Sequence, residues 1–421
     1  MPAAKRILLA TIGSLGDLHP MLALALELQR RGHAVTLAST DFYRDKVRAL
    51  GIEFRSMRPN WNPTDHSLIA QCENLKTGPE ILFRRIILPH LRDTYHDLLA
   101  AAANADLMIA GELVYAAPLV AEKLTLPWVS AILSPCSFFS AHDPSVLVNA
   151  PALIHLRRLG WPVYRAALNA ARLATRHWWS PVRQLRRELA LSAQCDPVFR
   201  DKFSPLLVLA LFSSQLAQPQ PDWPPQTVQP GFLFFDRNAP GANQQPELTA
   251  FLAAGDAPLV FTLGSTAVHH PGNFYHASLA AAQKLGRRAI LLGIEHSQTL
   301  PSVLALPYAP YSAIFPHAAV IVHQGGSGTT AQALRAGKPQ LIVPYGWDQP
   351  DNAARVQRLG AGLSLARSRY SPESATSALD LLLQNPNFAA TAAHLAARIQ
   401  AEDALAVACN QIERILSRNK S

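Results

Sequence analysis

Charge is scarce in this chain. Asp, Glu, Lys and Arg make up only 16% of its 421 residues, aromatic residues 8%, and cysteine and methionine occur four times each. So little charge beside 49% apolar residues excludes a mainly disordered chain or a nucleic-acid tail, and fits a large buried core. Cys72, Cys136, Cys195 and Cys409 stand far apart. None pair at metal-ligand spacing, which argues against a zinc knuckle or an iron–sulfur site, and their rarity fits a reducing compartment. The N-terminal apolar run, residues 7–12, is too short for a signal peptide or a membrane span and ends at a glycine turn. A cytoplasmic, soluble protein is expected, with peripheral contact at the inner membrane face left open. At this length two domains are the default.

The net charge of +9 is unevenly spread. Between His155 and Arg187 stand Arg157, Arg158, Arg165, Arg172, Arg176, Arg183 and Arg186, with no acidic residue and with Trp161, Trp178 and Trp179 among them. Such a stretch reads either as a solvated helix face beside a pocket wall or as contact with an anionic membrane; nucleic acid is not expected as a partner.

The hydrophobic pattern alternates. Residues 7–12 read as a buried parallel strand, about 20–31 as a helix stopped by Gly32, and 34–38 as a second strand, which together make a βαβ unit. Further strands are expected at 52–54, 107–110, 128–132 and 206–211. The long helical, aromatic and basic excursion 134–204 belongs over the carboxyl ends of those strands, where doubly wound sheets bind ligands. A proline-rich stretch, 215–230, leads to a crossover expected between 230 and 245. A second α/β pattern follows, with strands at 259–263, 288–292, 320–322 and 340–343 and a last long helix over 387–416. The fold expected is α/β, with two facing Rossmann-like domains and the active site in the cleft between them. Residues 1–230 form the first domain, 231–400 the second, and 401–421 a helix running back onto the first.

Four strand ends carry chemistry. The first is Gly13-Ser14-Leu15-Gly16-Asp17-Leu18-His19-Pro20, a glycine turn without the dinucleotide G-x-G-x-x-G spacing. Asp17 reads either as a helix cap or as a general base, with His19 the rival base. The second, Gly264-Ser265-Thr266, offers N–H groups and hydroxyls to a phosphate. The third, His323-Gln324-Gly325-Gly326-Ser327-Gly328-Thr329-Thr330, describes a diphosphate cradle, with glycines that let the backbone approach and His323 as a donor to the leaving group. The fourth, Trp347-Asp348-Gln349-Pro350-Asp351-Asn352, carries an acid–amide pair suited to sugar hydroxyls. No hydrolase triad, H-E-x-x-H, EF-hand loop or D-x-D pair is present. The missing D-x-D argues against a metal-dependent sugar-nucleotide enzyme, so no metal ligand is assigned.

The runs Val322–Thr330, Ala333–Pro339 and Pro344 with Asp348–Ala353 closely resemble the donor signature of the UDP-glycosyltransferase superfamily, whose members are inverting enzymes of GT-B fold. The Gly13–Pro20 loop resembles that of its bacterial, sterol-glucosyltransferase and rhamnosyltransferase branches. The resemblance implies a hexosyltransferase moving a hexose or deoxyhexose from a UDP- or dTDP-sugar to a phenol, sterol or hydroxy-lipid, with no cofactor and no metal. It implies Asp17 as base and His323 against the diphosphate as the catalytic pair. Gly13 is donor-binding; Ser265, Gly325, Gly326, Ser327, Gly328 and Thr329 fall on the phosphate side, Asp348 and Gln349 on the sugar, and Tyr308 by the base. Ala331 replaces the ribose-binding Glu of plant relatives, which eases acceptance of a deoxyribose donor. Glu112 falls near the position of the plant His-orienting Asp and is not assigned a catalytic role. His19, Phe138, Trp161 and Trp178 are the candidate acceptor wall, and the aromatics also fit plain helix packing. The partners implied are the donor and a lipophilic acceptor, and the protein is a monomer or weak dimer. The alternatives are a non-catalytic nucleotide-sugar-binding protein, or a related GT-B enzyme acting on a lipid-linked or other acceptor.

Overall fold

The computed structural model describes residues 4–62, 65–236, 246–294 and 298–418. Most of the crossover expected at 230–245, residues 237–245, lies outside them. The chain forms two compact units, one within 1–63, 76–235 and 403–421 and the other within 64–75 and 236–402. The sequence pattern does not anticipate that residues 64–75 cluster with the second unit.

The first unit is built on β1 (Arg6–Ala10), β2 (Ala34–Ser39), β3 (Glu53–Ser56), β4 (Leu107–Gly111), β5 (Trp128–Ile132), β6 (Val208–Ala210) and β7 (Thr227–Val228). Their order is β3-β2-β1-β4-β5-β6-β7, with every pairing parallel. Ile7, Leu8, Leu9 and Ala10 are all buried, as a strand covered on both faces requires. The order reverses at β1, between β2 and β4, so the turn after β1 lies at a topological switch point. β7 sits inside the proline-rich stretch that the sequence pattern reads as linker. An edge position with only two residues tolerates the flanking prolines.

Helix Leu15–Arg30 starts five residues before the expected position. Ser14 and Asp17 form a capping box at its N-terminus and carry the helix through Pro20. The last helix divides at 401–403 into Pro386–Gln400 and Ala404–Arg418. Ala408, Cys409 and Ile412 of the latter join the first unit's core, and Arg31 pairs with Glu413 at 2.9 Å.

The second unit has β8 (Leu259–Phe261), β9 (Ala289–Leu292), β10 (Gln298–Leu300), β11 (Val303–Leu306), β12 (Val320–His323), β13 (Gln340–Ile342) and β14 (Gly362–Ser364). Their order is β10-β11-β9-β8-β12-β13-β14, parallel except for the β10–β11 hairpin. The strand pattern in the sequence does not signal β10, β11 or β14, each of four residues or fewer. Here the switch point falls between β8 and β12. The turns Gly264–Thr266 and Gln324–Gly328 therefore leave adjacent strands at the place where such sheets bind ligands.

Candidate active site

In the first unit, Gly13 has a φ of 142°. A methyl group built on it would stand 2.2 Å from Oδ2 of Asp17, so glycine is what allows the carboxylate to fold back over the turn. The Asp17 Oδ2 accepts from the Ser14 N–H at 2.7 Å and from its hydroxyl at 3.2 Å, while Ser14 Oγ accepts from Gly16 N–H at 3.1 Å. Capping is thus a real role of Asp17, and the same bonds orient the carboxylate at the switch point. The buried Tyr43 hydroxyl donates to Gly13 O at 3.1 Å and braces the turn. His19, on the next turn of the helix, lies against the Phe235 ring at 5.1 Å between centroids.

In the second unit, β12 delivers His323 into the core at 0% exposure. Its Nδ1 accepts from Gly325 N–H at 3.0 Å, so Nε2 carries the proton and donates to Gln340 Oε1 at 2.9 Å. Burial pushes the imidazole down to about 4. Both nitrogens are engaged inside the protein, and the ring stays neutral at physiological pH. Its effect is to fix the turn. Gly325 follows with a φ of 93°, where an added methyl would meet Ile342 at 2.7 Å. Helix Ser327–Ala336 then begins at Gly326 with no side-chain cap. Its first N–H groups and its positive dipole end suit an anion.

The loop after β13 is tied to this turn. Asp348 Oδ2 accepts from Ser327 Oγ at 2.5 Å and from Asn352 Nδ2 at 2.7 Å, and that amide also donates to Gly325 O at 2.9 Å. Gln349 Oε1 accepts from the N–H groups of Tyr345 and Gly346 at 2.7 and 3.0 Å. Gly325, Gly326, Ser327, Gly328, Thr329, Asp348 and Gln349 are therefore brought together. Thr329 is buried and Ser327 half-buried. Gly264, beside Ser265 after β8, lies under the Gln324 amide, where an added methyl would be 2.2 Å from Nε2. Tyr308, after β11, is 55% exposed, and partial burial with the Asp236 charge raises its pKa.

The acceptor candidates stand in different surroundings. Phe138 is buried, stacked on Trp223 at 4.1 Å and Phe203 at 5.4 Å. Trp161 is 48% exposed, with its ring on His142 at 5.0 Å and Arg165 over it at 5.4 Å. Trp178 is half-buried, edge-on to His177. Glu112 pairs with the buried Lys202 at 3.3 Å.

Sequence reasoning missed Gln340 and Glu73. Gln340 left a signal, a polar residue opening an otherwise apolar strand. Glu73 left none. Among the described residues, no group of three or more His, Cys, Asp or Glu could hold a metal ion, and no helix is long and apolar enough to cross a membrane.

A two-unit fold of parallel α/β sheets, with an anion-suited turn at the second unit's switch point, is the GT-B architecture. Comparison with known proteins agrees. Residues 7–137 match the glycosyltransferase family 28 N-terminal domain, and 293–413 match the erythromycin biosynthesis protein CIII-like C-terminal domain. The chain is 32% identical over 426 residues to the O-mycaminosyltylonolide 6-deoxyallosyltransferase of Streptomyces fradiae, covering 97% of each. It is 27% identical to a sterol 3-beta-glucosyltransferase of Arabidopsis thaliana, over 95% of this chain and 64% of that one. The glycosyltransferase VinC, solved with dTDP, superposes with a TM-score of 0.68 at 22% identity, over 98% of this chain and 100% of that one. The chain belongs to the UDP-glycosyltransferase superfamily and is a nucleotide-sugar-dependent glycosyltransferase.

Proposed function

We propose that this enzyme moves a hexosyl or deoxyhexosyl group from a UDP- or dTDP-sugar to a hydroxyl of a lipophilic small molecule, with inversion. The observation that carries the donor half is the uncapped start of helix Ser327–Ala336 behind the Gly325–Gly326 turn. In the proposed reaction Asp17 takes the proton of the acceptor hydroxyl as that oxygen bonds to the anomeric carbon. The bond from that carbon to the diphosphate oxygen breaks, and the nucleoside diphosphate leaves with the electron pair. The turn N–H groups, the helix dipole and the Ser265 hydroxyl carry the developing charge. His323 acts as a positioning residue, because its engagement with Gly325 and Gln340 holds the turn.

The exposed Leu159, Trp161, Val163 and Leu173 support a lipophilic acceptor. The exposed Arg157 and Arg158 beside them support peripheral contact with an anionic membrane. Cosedimentation with anionic but not neutral vesicles tests the latter. For the reaction, the protein is incubated with UDP- and dTDP-hexoses, with and without a pool of phenols, sterols and hydroxy-lipids, in EDTA. Acceptor-dependent release of nucleoside diphosphate is expected. Nucleotide binding without release under any pairing counts against the transferase reading, and release that requires added Mg²⁺ counts against metal independence.

A further inference from the structure

Glu73 is a buried acid with no side-chain hydrogen bond among the described residues. Asp65 caps helix His66–Cys72 by accepting from Leu68 N–H at 3.0 Å, and Glu73 closes the helix with its own N–H on Ile69 O at 2.8 Å. The side chain is then 4% exposed, and among the described residues neither carboxylate oxygen has a hydrogen-bond partner. Burial without donors is costly for a carboxylate, and folded proteins rarely leave it so. Here burial pushes the carboxyl up to about 7, with Arg367 pulling against it.

The groups around it are committed elsewhere. The Arg367 guanidinium stacks on the Tyr345 ring at 4.0 Å and donates to His270 O at 2.9 Å. The Tyr345 hydroxyl donates to Pro271 O at 2.8 Å. A methyl group built on Gly346 would lie 3.4 Å from the Glu73 Cα, which is ordinary contact. Glu73 therefore rests by loops that follow β8 and β13, the two neighbours of β12, whose end carries the diphosphate turn.

A hexose next to Asp348 and Gln349 needs acceptors for its hydroxyls. Asp348 Oδ2 and Gln349 Oε1 are already taken by Ser327, Asn352 and the Tyr345 and Gly346 backbone. The Glu73 backbone packs on Gly346 and its carboxylate bears electrostatically on Tyr345, so two acceptor oxygens lie beside the loop that carries Asp348 and Gln349. We propose that Glu73 binds the hexosyl group of the donor, accepting hydrogen bonds from its hydroxyls or, in an amino sugar, from its ammonium. This rests on the assignment of the Gly325–Gly326 turn to the donor diphosphate.

The test measures, by calorimetry at pH 8, binding of UDP, dTDP, UDP-glucose, dTDP-glucose and dTDP-rhamnose to wild type, Glu73→Gln and Glu73→Ala. Charge-assisted hydrogen bonds of this kind correspond to roughly tenfold or more in affinity. Both variants should keep wild-type affinity for the nucleoside diphosphate and lose about tenfold for the preferred nucleotide sugar. Glu73→Gln should also melt no lower than wild type. Equal sugar-nucleotide affinity in wild type and Glu73→Gln overturns the inference. Weakening of diphosphate and nucleotide sugar alike shows a structural role and overturns it too. Should Glu73→Ala fail to fold, Glu73→Gln decides alone. If no nucleotide binds wild type, the donor assignment itself falls, and Glu73 with it.

Discussion

Between pH 4.5 and 7, Glu73 and His323 should drive the stability of the second unit in opposite directions. Burial raises the Glu73 carboxyl from 4.5 to about 7. Inside that window the folded chain holds a proton that the unfolded chain has lost, so stability falls as pH rises. At about 1.4 kcal/mol for each pH unit crossed, the loss comes to roughly 3 kcal/mol. Burial lowers His323 from 6.5 to about 4. There the unfolded chain binds a proton that the folded chain refuses, so stability rises with pH, again by roughly 3 kcal/mol. Where the windows overlap the two slopes cancel, and wild type shows little of either. Glu73→Gln removes the first slope and exposes the second. Urea unfolding of both proteins at half-unit pH steps reads the difference. The variant should match wild type near pH 4.5 and gain steadily, reaching about 3 kcal/mol at pH 7 and above. A difference that stays flat over this range refutes the assignment of a buried, unpartnered carboxyl at Glu73.

Asp17→Asn should lower kcat by about a hundredfold or more with nucleotide affinity unchanged, measured by steady-state kinetics and calorimetry. Gly325→Ala should cost about 1–3 kcal/mol in urea unfolding and abolish nucleotide binding, because the added methyl meets Ile342 in a strained backbone. Gln340→Leu should cost about 1–3 kcal/mol by leaving the His323 Nε2–H unsatisfied, and should weaken nucleotide binding through the turn that His323 holds. Phe138→Ala should cost about 3–5 kcal/mol, as for a core aromatic. Trp161→Ala should stay within about 0.5 kcal/mol of wild type and raise the acceptor KM.

Hydrophobic pattern and glycine spacing made the two sheets legible, because strands buried on both faces, such as 7–10 and 320–323, write themselves as continuous apolar runs. Short edge strands do not: β7 has two residues and β14 three, too few for a period to show. The switch-point turns were legible as well, since glycine marks positions where a side chain cannot fit. What the sequence could not disclose is where polar atoms spend their hydrogen bonds. His323 stands in a ligand-facing motif, yet Gln340 and Gly325 take both of its nitrogens. Phe138 reads as a pocket aromatic but is stacked in the core by Trp223, 85 residues away in a segment read as linker. Glu73 is set beside the second unit's loops by a helix whose sequence carries no sign of its destination.

Product analysis of a single turnover bears most heavily on the proposed reaction. Once a working donor and acceptor pair is found, the glycoside formed from an α-linked nucleotide sugar is examined by NMR, with nucleoside diphosphate quantified beside it. Single displacement by the Asp17-activated hydroxyl gives the β-glycoside and one nucleoside diphosphate per glycoside. An α-glycoside, or nucleoside diphosphate released without glycoside when acceptor is saturating, would contradict it.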